Sequence, residues 1–306
     1  MYKYFTLLRI DHWIKNIFII PGVVFSFILG GTFPDDSTKT IFCSILSLFF
    51  AASANYTINE WLDRESDKRH PEKKNRSSVI FDLNPTLVYL QYMILVITSI
   101  FLANLVSIEI TFCNIFLIFM GIIYNVKPLR SKDIPIIDVL TESVNNPIRF
   151  LIGWYILNNS IYPPSAILIS YWFGGAFLMN TKRLTELKKI SKTTKPSDYR
   201  KSFKFYNEKI LISISVFYSL ISSSLLIVFI AKYKLELILI SPFISLLFAF
   251  YIYESLKENS FIDSPEKLYK NKKIVFLIFT ITFLFFFLFN IEIKILTDLF
   301  NYKGKW

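Results

Sequence analysis

Asn55, Asn59, Asp63 and Asp67 recur every fourth residue within ANYTINEWLDRESDKRHPEKKNR, the stretch from Ala54 to Arg76. On a helix that spacing lines them along one face, each about 6 Å beyond the last. Ionised Asp63 and Asp67 are pure acceptors, and Asn59 adds a neutral carbonyl. This donor set suits a hard cation such as Mg2+, which keeps several waters and is shared with substrate phosphates. Asn59, Asp63 and Asp67 are therefore the expected metal ligands and the expected catalytic centre. Arg64, Lys68, Arg69, Lys73, Lys74 and Arg76 follow directly and can neutralise phosphate charge. The same spacing also fits a solvated helix end whose charges pair within the helix. What distinguishes the ladder is the uncharged run from Ile41 to Ala54 ahead of it, which sets it where a helix leaves a bilayer.

The elements that would carry these residues are membrane helices. Of 306 residues, 53% are hydrophobic and 18% aromatic, with a mean hydropathy of +0.46, outside the usual range of a soluble globular domain. Segments long enough to cross about 30 Å of hydrocarbon fall near residues 13 to 31, 41 to 62, 86 to 105, 108 to 124, 134 to 157, 163 to 182, 208 to 231, 235 to 256 and 274 to 291. The expected fold is an all-α integral membrane bundle of nine transmembrane helices, a single domain over residues 1–306. The first apolar segment lacks a small-residue cleavage pattern and is expected to stay as the first helix.

A net charge of +11 raises the question of nucleic acid, but the distribution of the charge points elsewhere. With nine spans, most of the 34 Lys and Arg residues fall on the N-terminus and on the loops after spans two, four, six and eight. That asymmetry puts those loops, and the Asp ladder with them, on the cytoplasmic side of a multi-pass cell membrane protein. No nucleic-acid partner is expected, and any single loop lysine is first a topology signal and an attraction for anionic lipid. Cys43 and Cys113 lie within spans and are expected to be buried thiols, and His12 and His70 are too few for a conventional zinc centre.

Three further groups of polar residues sit near the same surface. NTKRLTELKK, from Asn180 to Lys189, carries Lys182, Arg183 and Glu186 at the end of span six, and Arg200, Lys201, Ser202 and Tyr206 lie downstream. Together they form a basic counterpart to the acidic ladder, or a positive-inside flank with one internal ion pair. Around span five, Asp138, Glu142, Asn145 or Asn146, and Arg149 repeat at helical spacing in an apolar stretch. They suit a wet cavity, or equally a polar seam in which Arg149 pairs with Glu142 or Asp138. Tyr124 and Lys127, ending span four, can point a hydroxyl and an ammonium into the same vestibule, and Arg9 and Lys15 near the N-terminus can reach a phosphate. Trp13 reads first as an interfacial anchor.

At these positions the chain resembles the UbiA superfamily of intramembrane prenyltransferases, whose members have nine helices and an Asn-Asp-x-x-Asp-x-x-x-Asp motif at the cytoplasmic end of the second. Here the motif runs from Asn59 through Asp63 to Asp67, with Glu60 in place of the first aspartate. The similarity is strongest to the decaprenyl-phosphate phosphoribosyltransferase type, through Trp13-x-Lys15-Asn16, Asp67-x-x-His70-Pro71, Lys182-Arg183-x-x-Glu186-Leu187, Arg200-Lys201-Ser202 with Tyr206, and Ser264-Pro265-Glu266. Aromatic prenyltransferases of the superfamily carry a second Asp-rich motif on span six, where this chain has Asn180, Lys182, Arg183 and Glu186. The resemblance implies Mg2+-dependent transfer of a 5-phosphoribosyl group from phosphoribosyl pyrophosphate to a polyprenyl phosphate. Lys73, Lys74 or Arg76 would then face the pyrophosphate, and Lys182, Arg183 or Lys201 the ribose 5-phosphate. Two alternatives are prenyl transfer from a diphosphate to an aromatic or other cyclic acceptor, and a transporter or non-catalytic lipid-binding protein.

Overall fold

Hydrocarbon offers backbone amides no partners, so a chain this apolar must close its hydrogen bonds within helices or a barrel. In the computed structural model, which describes residues 2–192, 195–257, 260, 262 and 271–300, every regular element among the described residues is helical. The principal helices are α1 (Ile20–Ile28), α2 (Ser37–Asp67), α3 (Pro85–Asn104), α4 (Ile108–Asn125), α5 (Ile137–Ser143), α6 (Asn145–Leu157), α7 (Ser165–Ser191), α8 (Glu208–Tyr233), α9 (Ser241–Ser255) and α10 (Lys272–Phe289). Among the described residues six stretches are long and apolar enough to cross a membrane: α2, α3, α4, α8, Leu235–Ser255 and α10. The expected first and fifth spans are interrupted. Residues Ile10–Ile19 form a 3-10 helix before α1, and Pro21, at the start of α1, has no amide to return to Ile17. Pro147 likewise cannot bond back to Ser143, and the fifth segment divides there into α5 and α6.

The chain forms two compact units, residues 1–163 with 186–210, and residues 164–185 with 211–306. In the first, α2 is the central element and α3 packs along it. Ser99 Oγ donates to the Ser47 carbonyl at 2.8 Å, and Asn114 Nδ2 to Ser47 Oγ at 3.2 Å, so one buried polar knot ties α2, α3 and α4 together. Leu87, Leu90, Ile94, Ile97 and Phe101 form the outward stripe of α3, as lipid-facing residues should at helical spacing. Trp13 is packed on α2: its ring stacks on Phe49 at 4.5 Å and its Nε1 donates to Ser53 Oγ at 2.9 Å.

Glycines let α1 and α6 meet backbone to backbone. A Cβ on Gly22 would stand 2.0 Å from the Phe150 carbonyl oxygen, and one on Gly153 would stand 2.1 Å from that of Ile19. Ser26 Oγ closes the contact on the Trp154 carbonyl at 3.0 Å. Neither carbonyl can rotate away without unwinding its helix, so Gly153→Ala is expected to cost roughly 1–3 kcal/mol. A fall in the thermal midpoint of the detergent-solubilised protein would register it, and an unchanged midpoint would show that the helices can part.

In the second unit, Ser170 Oγ of α7 donates to the Ser222 carbonyl of α8 at 2.8 Å and Ser222 Oγ returns to the Ser170 carbonyl at 2.9 Å. Asn180 Nδ2 donates to the Leu211 carbonyl at 2.6 Å and to Ser215 Oγ at 2.7 Å. Phe177 packs edge-on against Phe248 at 4.7 Å, joining α7 to α9. Cys43 and Cys113 are buried free thiols.

Candidate active site

The acidic ladder divides along its length. Asn55 is committed to packing: its Nδ2 donates to the Leu117 carbonyl at 2.9 Å, and Gly121 of α4 leaves room for its amide. It does not join the ligand set that its spacing suggested. Asn59 Nδ2 donates to Asn125 Oδ1 at 2.6 Å and to Asp63 Oδ2 at 3.3 Å, and its own Oδ1 has no donor among the described residues. Asp63 Oδ1 accepts from Arg130 Nη2 at 2.9 Å and from Lys132 Nζ at 2.5 Å. Asp67, only 1% exposed, accepts from Arg76 Nη1 at 2.7 Å through Oδ2, and its Oδ1 has no partner among the described residues. Two carboxylates and an amide oxygen thus share one face, with acceptor atoms to spare. This fits a hard cation that brings its remaining ligands with it as water or phosphate. Among the described residues no group of three His, Cys, Asp or Glu could hold a metal alone.

Glu60 lies outside this set. It is 3% exposed, accepts from the Ser78 amide at 3.3 Å and pairs with Arg9 at 3.5 Å. Glu60 therefore fastens the N-terminal segment and the Ser77–Ile80 turn to α2.

Arg130 and Lys132 were not among the residues singled out from sequence. They sit in the loop after α4, where Arg130 and Ile136 adopt φ of +26° and +69°. An isoleucine at positive φ is costly and persists only when its surroundings hold it; here the Ile136 amide donates to the Tyr206 hydroxyl at 2.6 Å. Lys132 is 2% exposed and also donates to Asn125 Oδ1 at 2.8 Å. Burial pulls its pKa down to about 8, against the opposing pull of Asp63. The only sequence signal was two cations spaced around a serine after Lys127-Pro128, indistinguishable from a positive-inside flank.

A second cluster gathers the polar residues of α5 and the 199–206 segment. Asp138, fully buried, accepts from the Tyr206 hydroxyl at 2.6 Å and Ser202 Oγ at 3.3 Å, and pairs with Arg200 at 3.5 Å. Arg200 Nη1 also donates to the Tyr124 hydroxyl at 3.2 Å, and that hydroxyl donates to Glu142 Oε2 at 2.8 Å. Burial works against the Arg200 charge, but Tyr124, Glu186 and Asp138 hold its pKa well above the ordinary value. Lys73 connects the clusters, pairing with Glu186 Oε1 at 2.8 Å and reaching the Tyr199 hydroxyl.

The other expected residues are placed as follows. Arg149 Nε donates to Asn16 Oδ1 at 2.9 Å, and its Nη1 lies 3.5 Å from Asn146 Oδ1. Lys15 sits over the Tyr56 ring at 5.9 Å. Lys74, Lys127 and Lys201 are exposed. In the second unit Arg183 is buried and Lys182 is half-buried. Ser264-Pro265-Glu266 lies outside the described residues.

Comparison with known proteins gives these features a family setting. The model of the UbiA prenyltransferase family matches residues 18–277. Nodulation protein NoeC of Azorhizobium caulinodans is 23% identical over 213 residues, 68% of this chain, and the match spans 65% of that relative's length. A UbiA homolog from Archaeoglobus fulgidus, solved bound to DMAPP and Mg2+, superimposes with a TM-score of 0.71 at 20% identity, covering 92% of this chain and 99% of that one. A digeranylgeranylglyceryl phosphate synthase superimposes with a TM-score of 0.61 at 16% identity over 94% and 96% of the two chains. These likenesses establish the fold.

Proposed function

Because the chain belongs to the UbiA prenyltransferase family, we propose that it is a Mg2+-dependent membrane transferase that moves a 5-phosphoribosyl group from phosphoribosyl pyrophosphate to a polyprenyl phosphate, releasing pyrophosphate. The observation that carries this is the sign of the charge around the site. Arg76, Arg130 and Lys132 already sit on Asp63 and Asp67, and Glu186, the carboxylate of the second segment, is taken up by Lys73. One acidic face ringed by cations suits a donor with anions at both ends better than it suits two metals around one prenyl diphosphate. The nine-span arrangement with a cytoplasmic N-terminus and site belongs to the same proposal, supported by the bias of Lys and Arg along the chain.

Asn59, Asp63 and Asp67 would hold Mg2+, which would neutralise charge on the departing pyrophosphate. Arg76, Arg130, Lys132 and Lys73 would bind the same phosphates. For the ribose 5-phosphate the resemblance implies Lys182, Arg183 or Lys201. The bond from the anomeric carbon to pyrophosphate oxygen breaks as one forms to the oxygen of the polyprenyl phosphate. That nucleophile is already an anion, so no side chain need take a proton from it. The protein's share of the acceleration is positioning and fixed positive charge around the leaving group.

The likeness to relatives solved with DMAPP supports a second reading, prenyl transfer to a cyclic acceptor. The two separate in one assay: purified protein, Mg2+, radiolabelled phosphoribosyl pyrophosphate and a short polyprenyl phosphate. Label entering the organic phase is the expected result. None there, with turnover of a prenyl diphosphate and an aromatic acceptor instead, would transfer the assignment to prenyl transfer.

A further inference from the structure

His70 follows the acidic ladder by one turn and is 2% exposed. Its Nδ1 accepts two backbone amides, those of Glu72 and Lys73, at 3.1 Å each. A ring nitrogen that accepts cannot carry a proton, so in the neutral ring the proton is on Nε2. Burial and the neighbouring Lys73 lower the imidazole pKa to about 4, and the ring is neutral at ordinary pH. Nε2–H is thus a donor, yet it is buried and has no hydrogen-bond partner among the described residues. A desolvated donor left unmet is costly, and native proteins rarely keep one without a use.

The surroundings indicate the use. The ring lies 5.0 Å from that of Tyr199, over which Lys73 sits at 5.0 Å from the centroid. Lys73, Glu186, Glu72 and Arg76 are the charges it feels most strongly. Lys73 and Arg76 are the cations on Glu186 and Asp67. An anion drawn between them comes within the neighbourhood of a neutral, preoriented N–H, held in place by the turn that also aims Lys73.

Resting on the functional reading above, we infer that His70 has two jobs: its Nδ1 fixes the 70–73 turn, and its Nε2–H donates to the pyrophosphate portion of the donor substrate. The two ring nitrogens can be tested apart. In His70→Asn the side-chain oxygen takes the place of Nδ1 and keeps the turn, but the distal donor is gone. In His70→Gln an amide nitrogen stands near the Nε2 position and the turn acceptor is lost.

The experiment is calorimetric titration of the full-length protein in detergent with pyrophosphate in the presence of Mg2+, paired with steady-state kinetics and thermal melting. For His70→Asn the expected result is pyrophosphate affinity weaker by roughly 10- to 100-fold, the range for a hydrogen bond to a charged group. The donor KM should rise in parallel, with the lipid KM and the melting midpoint unchanged. The deficit should be constant between about pH 5.5 and 8, since a neutral ring is being replaced by a neutral amide. His70→Gln should melt lower while losing less pyrophosphate affinity than His70→Asn. If His70→Asn binds pyrophosphate as the parent does, His70 is a turn cap only and the inference fails. Loss of affinity that tracks loss of melting temperature in both variants would overturn it equally. Pyrophosphate is common to phosphoribosyl and prenyl donors. Failure to label the lipid would therefore sink the phosphoribosyl assignment, whereas parent-like pyrophosphate binding by His70→Asn would sink only this inference.

Discussion

Asp63→Asn and Asp67→Asn are each expected to lower turnover by at least about three orders of magnitude, in line with the loss of a group that fixes transition-state charge. The amide keeps the shape of the carboxylate and removes its charge. For Asp63 the exchange also takes a negative charge from Arg130 and Lys132, which both donate to Oδ1. For Asp67 it takes one from Arg76. These cations lie in loops, and the contacts that hold α2 to α3 and α4 are made further up the helix by Ser47, Asn55 and Gly121. Elution from a sizing column in detergent should therefore match the parent. Metal dependence gives the sharper check: raising Mg2+ should not restore either variant, because a ligand is missing and not merely weakened. Parent-like turnover in both would remove the metal from this face of α2.

The sequence carried the helices well and the loops poorly, for a physical reason. Membrane helices announce themselves by uninterrupted apolar length, and α2, α3, α4, α8 and α10 fall within a few residues of their expected limits. Where the apolar run contained Pro21 or Pro147, length alone overstated continuity, and the first and fifth segments are broken. The Asp63 and Asp67 face was legible because four-residue spacing is local. Its cations were not, since Arg130 and Lys132 reach Asp63 across 67 and 69 residues of chain. Spacing cannot reveal which of many loop lysines makes such a journey. Glu60 and Asn55 show the converse: both belong to the motif by position, yet one clamps the N-terminal segment and the other packs against α4. The ladder pattern identifies a helix face, and only tertiary contacts tell which of its polar residues are taken up by packing.

Lys132→Met is expected to have two effects of opposite sign, which make it the most informative loop substitution. Three cations, Arg76, Arg130 and Lys132, already attend two carboxylates, Asp67 and Asp63. A divalent ion entering alone adds positive charge to a site that is already positive, so it should bind weakly until phosphates arrive to receive the displaced cations. Removing Lys132 frees one lone pair on Asp63 Oδ1 while Arg130 still holds that carboxylate at 2.9 Å, so the aspartate is not abandoned as an unpaired buried charge. Mn2+ titrated without pyrophosphate and followed by electron paramagnetic resonance should therefore bind more tightly to Lys132→Met than to the parent. Turnover should fall by roughly 100- to 1000-fold, since a buried ammonium that would stabilise the leaving group is lost. Lys132→Arg, which keeps the charge but not the compact head group, should recover part of the rate and none of the gain in metal affinity. If Lys132→Met lost turnover and metal affinity together, Lys132 would be a support for the Asp63 carboxylate and not a competitor for it, and the phosphate-dependent loading of the site would have to be abandoned.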